Sequence, residues 1–216
     1  MIGESKKGRC RVSKFIDLSY EIYNGMPGYP GDPEVVLSND KIISRDGYCN
    51  HNLKMGMHVG THLDLPAHMV EDIRNAAAIS LDSLCGQAKM IYANDKKIIK
   101  AEPEHKKLIE KNDIVIIYTG MAKEYGNKKY YNQHPIISED LADLLIAKDV
   151  KLLGFDMPSP DRSPFKVHQK LFENDIFILE NLCNLEKLLG LKSFKFLVFP
   201  LKVRAEAAPC RAAAEI

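Results

Sequence analysis

The chain has 216 residues, 45% hydrophobic and 27% charged, with a formal charge of +1. That balance excludes a disordered or collagen-like chain and lacks the basic field a nucleic-acid backbone requires, so no nucleic-acid partner is expected. No apolar run approaches the ~20 residues of a membrane-spanning helix, and no hydrophobic segment follows the charged N-terminus, so neither membrane nor secretory leader is expected and the cytoplasm is the default.

Residues 1–14 are polar and basic without periodicity and are expected to fray. No repeat, low-complexity tract or linker divides residues 15–216, which read as one domain. A short strand is predicted at 15–18. It leads into YNGMPGYPGDP (23–33), where three Gly and three Pro exclude regular structure and give a stiff surface loop. Residues 34–43 and 51–57 carry strand character. From residue 88 strands and helices alternate. A strand is predicted at 89–93 and a helix at 103–111, with Pro103 in its first turn. The apolar run 113–118 reads as a strand buried on both faces. Ser138 is placed to cap a helix carrying Leu141, Leu144 and Leu145 on one face. Strands follow at 150–155 and 175–179. A short helix then aligns Leu182, Leu185, Leu188 and Leu189 and stops at Gly190. A last strand is predicted at 194–199. The fold class is α/β with a central mixed sheet, β-rich in its first third. The five cysteines (Cys10, Cys49, Cys85, Cys183, Cys210) form no CxxC pair and read as buried free thiols.

The chemistry concentrates in HVGTHLDLPAH, residues 58–68. Imidazole and carboxylate are ligands for zinc and its first-row neighbours. Gly60, Pro66 and two β-branched residues make the segment a poor helix. In an extended chain His58, His62, Asp64 and His68 share parity and project to one face. A straight strand would nevertheless hold the two end histidines roughly 33 Å apart at about 3.3 Å per residue. The chain must bend, and Gly60 and Pro66 stand where bending is cheapest. Left unpaired, such polar groups on a buried strand would be costly, so the segment is read as a metal site. His168 and Glu180 flank the strand at 175–179 and are candidate additional ligands. Together these side chains make six donors, more than one tetrahedral ion uses and enough for two ions with a bridging carboxylate.

HVGTHLDLPAH closely resembles the HxGTHxDxPxH signature of the metal-dependent cyclase-like hydrolases, a family that includes bacterial kynurenine formamidases and isatin hydrolases. The likeness extends from IDLSYEIYNGMPGYPGDP through GFDMPSPD and ENDIFILENLCNL to FPLKVRAEAAPCRAAA. It implies a swivelling β/β/α domain and a homodimer or homotetramer. It also implies two divalent ions, zinc or manganese. By similarity His58, His62 and Asp64 match ligands of a first ion, with Asp64 bridging to a second. His168 matches a ligand of the second ion, and Glu180 a carboxylate touching both. His68 matches the general acid/base, and Tyr29 stands where formamidases carry a substrate-packing tryptophan. The expected partner is a small aromatic or cyclic amide. The expected activity is amide hydrolysis, with N-formylkynurenine to kynurenine and formate as the leading reaction and lactam opening of the isatin type as its alternative. A non-catalytic module holding a metal or ligand is the reading from another class.

Other residues carry weaker readings. His51 is expected to be packed or exposed, and His105, in a charged helix, solvated. His134 either approaches the pocket or only shapes a turn. Asp156 ends a strand, where open α/β sheets gather function, and with Ser159 either supports the substrate or makes a turn.

Overall fold

The computed structural model describes residues 13–191 and 193–216. The expected frayed tail therefore lies, as far as residue 12 and including Cys10, outside the described residues. Lys14 exchanges two backbone hydrogen bonds with Ile216, of 3.1 and 2.9 Å.

Twelve strands are described: β1 (Phe15–Asp17), β2 (Val36–Lys41), β3 (Asn50–Lys54), β4 (His62–Asp64), β5 (Cys85–Tyr92), β6 (Ile98–Ile99), β7 (Ile114–Tyr118), β8 (Ile136–Ile137), β9 (Leu152–Phe155), β10 (Phe177–Glu180), β11 (Ser193–Pro200) and β12 (Ala207–Glu215). Five α-helices accompany them: α1 (Ile43–Asp46), α2 (Pro103–Leu108), α3 (Lys128–Gln133), α4 (Glu139–Ala147) and α5 (Lys166–Phe172). The main sheet runs β1-β12-β11-β5-β7-β9-β10-β4, and β4 pairs again with β12. That second pairing closes the sheet on itself. The predicted mixed sheet is present, with β5-β7-β9-β10 parallel and the other pairings antiparallel.

Alternation along β7 shows how the layers form. Ile114, Ile116 and Tyr118 face the core enclosed by the sheet, with Met90, Leu179 and Phe196. Val115 and Ile117 face outward, where Leu141, Leu145, Leu171 and Phe172 of α4 and α5 cover them. Both faces of β7 are buried, as its unbroken apolar run requires. The β2–β3 hairpin stands apart from this sheet and exposes Leu53, with Ile43 and Tyr48 in its connection.

Several expectations are corrected. No strand was predicted after residue 199, yet β12 is nine residues long and pairs with three other strands. Its AAPCRAAAE sequence has neither β-branched nor aromatic residues; the strand exists because Ala208, Ala212 and Ala214 fit a fully buried interior. The strand expected at 34–43 stops at Lys41, and α1 follows. The leucine helix is a single 3₁₀ turn, Leu185–Leu188, and Leu189 is half-exposed. Ser138 occupies the N-cap of α4, but its hydroxyl donates to the Ile99 carbonyl. His105 is buried, not solvated, because its Nδ1 accepts from the Glu102 backbone N–H in a capping box at the start of α2. The four described cysteines are free, but Cys49 is exposed and the others are half-buried.

Candidate metal centre and active site

The signature segment bends at both expected places. Gly60 has φ +63°, and Pro66 opens the 3₁₀ turn Pro66–His68. Only His62–Asp64 is strand, and all three residues are buried. Leu63 points into the enclosed core, which turns His62 and Asp64 to the opposite face. Antiparallel pairing then places Glu180 directly across from His62 and Ile178 across from Asp64. His168 arrives from α5, just before β10. The four elements converge on one cavity of about 310 Å³, lined by His58, Asp64, His68, His168 and Glu180 together with Tyr29, Asp32, Met69, Tyr125, Tyr131, Ser159, Phe165 and Asn181.

Within the cluster, His58 Nδ1 lies 2.9 Å from Asp64 Oδ1. His62 Nε2 lies 3.3 Å from the same oxygen and 3.5 Å from Glu180 Oε2. His168 Nε2 lies 3.5 Å from Glu180 Oε1. Glu180 thus turns one oxygen to each histidine. Asp64 belongs to two compact donor groups, one with His58 and His68 and the other with His62 and Glu180. Neither Asp64 Oδ1 nor His62 Nε2 has an aligned hydrogen bond, although both are buried. Buried polar atoms left without partners are expensive, and donors that crowd without bonding one another suit a shared cation. The residues present therefore fit divalent metal ions.

The outer nitrogens are fixed by the fold. His62 Nδ1 lies 2.8 Å from the Gly60 carbonyl, so it donates there and directs Nε2 inward. His168 Nδ1 donates to Asp161 Oδ1 at 2.6 Å. The other oxygen of Asp161 accepts from the backbone N–H of Val167 and of His168, anchoring the first turn of α5. One carboxylate thereby orients both the helix and its ligand-bearing ring. Such partners hold a metal-binding imidazole in one tautomer and orientation.

The electrostatics reflect the crowding. Burial opposes charge on His58, but Asp64, Glu180 and Glu206 raise its pKa to about 9. Burial likewise opposes charge on His168, whose pKa Asp161 and Glu180 raise to about 9. Asp64 is held well below the usual carboxylate range, against its burial, by His62 and His58. Burial and the charge of Asp64 push Glu180 up. Burial lowers His68, and the neighbouring imidazoles add to this against the pull of Asp64.

All seven candidate residues bear on this cavity, with His62 behind its wall. Tyr29 stands at the rim, its ring edge-on to Tyr131 at 5.8 Å. The weaker candidates divide. Ser159 lines the cavity and donates to the Asp161 carbonyl. Asp156 lies behind it, accepting from the backbone and hydroxyl of Thr119 and from the Gly120 N–H. His134 is buried against the Tyr131 carbonyl and does not line the cavity. His51 is exposed on β3. Asp161, Asn181, Tyr125, Tyr131 and Phe165 received no site role from the sequence. Asp161 carried the one usable signal, an acid shortly before a candidate histidine.

The chain resembles known proteins over most of its length. The family model described as "Putative cyclase" matches residues 16–162. An uncharacterized protein of Methanocaldococcus jannaschii is 34% identical over 200 residues, covering 92% of this chain and 97% of its own. A kynurenine formamidase of Bacillus cereus is 30% identical over 178 residues, 79% of this chain and 83% of its own. Among solved structures, isatin hydrolase A from Labrenzia aggregata, bound to benzyl benzoate, superposes with a TM-score of 0.83 at 19% identity, covering 94% of each chain. With the family match spanning more than half of the sequence and taking in the whole signature segment, the chain belongs to the cyclase family.

Proposed function

We propose that the protein is a metal-dependent hydrolase of small aromatic amides, and that N-formylkynurenine, cleaved to kynurenine and formate, is its substrate. The observation that carries this reading is the sharing of Asp64 by two donor groups beside an aromatic-walled cavity. His58, His62, Asp64, His168 and Glu180 would hold two divalent ions, zinc or manganese, since imidazole with carboxylate accepts either. Divalent ions bound there supply Lewis acidity at a carbonyl and make water a nucleophile at neutral pH.

The chain's own residues supply the rest. His68 lines the cavity, and neither of its ring nitrogens has a hydrogen-bond partner among the described residues. It is free to take a proton from the attacking water as the water oxygen bonds to the carbonyl carbon, and to hand that proton to the amide nitrogen as the C–N bond breaks. Tyr29, Tyr131 and Phe165 offer ring faces and edges to an aryl group. Asp32 is the one fixed charge on the described cavity wall outside the donor cluster, and no Lys or Arg lines it. A carboxylate at the rim suits the α-ammonium of N-formylkynurenine; isatin carries no such group. This favours the formamidase reaction over lactam opening, the alternative for which the isatin hydrolase fold gives a precedent.

Metal-loaded protein should hydrolyse N-formylkynurenine at least tenfold faster than isatin when both are followed by absorbance. Turnover of isatin alone would install the alternative. Failure on both by protein with two bound ions would reject the aryl-amide reading.

A further inference from the structure

The side chain of Asn181 is buried between the signature segment and α3, and its hydrogen bonds are fully specified. Its Nδ2 donates to the Gly60 carbonyl at 2.9 Å and lies 3.4 Å from His62 Nδ1. Its Oδ1 lies 2.6 Å from the hydroxyl of Tyr130, a residue with no exposed surface. Its own backbone carbonyl accepts the Thr61 hydroxyl at 2.6 Å. Gly60 and Asn181 both sit in the left-handed region, at φ +63° and +57°, so each strand turns sharply at the point where the two meet.

These contacts leave no freedom in the protons. A carbonyl oxygen only accepts, so Gly60 O fixes the Asn181 amide with its NH₂ inward and its oxygen toward Tyr130. Tyr130 must then donate. The same carbonyl oxygen faces His62 Nδ1, so neutral His62 carries its proton on Nδ1 and its lone pair on Nε2, toward Asp64 and Glu180. We infer that Asn181, held by Tyr130, is a positioning residue: it fixes the Gly60 carbonyl that sets the tautomer and aim of His62. Chain order makes the arrangement compact, because Asn181 follows Glu180 directly. One residue donates to the centre, and the next braces the segment bearing two of its opposing donors.

The inference rests on the metal-centre reading, and its test separates the two. Asn181→Gly removes the amide without straining the left-handed backbone, and Asn181→Asp keeps the shape but turns an acceptor toward Gly60 O. Tyr130→Phe keeps the amide and removes its donor. Co²⁺ binding is measured by competition with a chelator and by the visible spectrum of bound Co²⁺, alongside thermal unfolding of the metal-free proteins. Wild type should bind two equivalents. Asn181→Gly and Asn181→Asp should weaken one of them about 10- to 100-fold and alter its spectrum, the range typical for partners of metal-bound histidines. Tyr130→Phe should have a smaller effect in the same direction. Wild-type Co²⁺ affinity and spectrum in folded Asn181 variants would overturn the role of Asn181 alone. No Co²⁺ binding by wild type would overturn the metal centre itself.

Discussion

His68 differs from His62 and His168 in having no fixed partner. His62 is pinned by Gly60 and His168 by Asp161, so each presents one nitrogen in one direction. A group that must gain and lose a proton is better left unpinned, and burial lowers the pKa of His68, favouring its neutral form near pH 7. The nearness of His68 to His58, with ring centroids 4.3 Å apart, leaves a ligand role as the competing assignment. Substitution distinguishes the two. His68→Ala should keep both metal equivalents yet lose about 10²- to 10⁴-fold in kcat, the usual contribution of a general acid. Asp64→Ala, which removes the donor common to both groups, should lose metal and activity together. Equal metal loss in the two variants, measured by elemental analysis, would make His68 a ligand. The residue types and their spacing were legible in the sequence at this scale. The pinning was not, because Asp161 and Asn181 reach their targets through tertiary contacts that spacing does not encode.

Strand β12, like helices α3 and α5, is an element that sequence periodicity missed. Alanine favours helix and offers a strand little to pack, so AAPCRAAAE carries no strand signal. The closed sheet reverses that preference. β12 lies between β11 on one side and both β4 and β1 on the other, and its inward positions are filled by Ala208, Ala212 and Ala214 with no exposed surface. Ala212 pairs with Val198 of β11, also fully buried, leaving no space for a longer side chain. Ala212→Leu should therefore destabilise the protein by about 1–3 kcal/mol, the usual cost of overpacking. Urea unfolding measures this, and an unchanged midpoint would show that the interior has slack. β7 makes the opposite case: its continuous Ile and Val run identified it at once, because a strand covered on both faces has no polar positions to confuse the pattern.

The donors of the whole molecule come from four places along 123 residues, His58 to Glu180, and meet because β4 pairs with β10 and α5 brings His168 to Glu180. Two extensive apolar clusters, one inside the sheet and one between sheet and helices, support this frame without calling on the donors. Removing metal should therefore leave the fold standing. EDTA is expected to abolish hydrolysis while the circular dichroism spectrum stays native, with thermal unfolding shifted down only by the lost binding energy. Unfolding by EDTA would assign the metal a structural role and reinstate a non-catalytic module.

The sequence alone determined the clustering of imidazole and carboxylate side chains, the bends at Gly60 and Pro66, the strand β7 buried on both faces and the irregular loop bearing Tyr29. Each depends on local residue type or on a period that a few neighbouring residues display. Only the tertiary structure decided that β12 is a strand, that His105 is buried, and that Glu180 faces His62 across a strand pair. It also decided which groups orient the histidines. These depend on contacts between residues distant in the chain, and an alanine, an asparagine or a buried histidine takes its role from what the fold places against it.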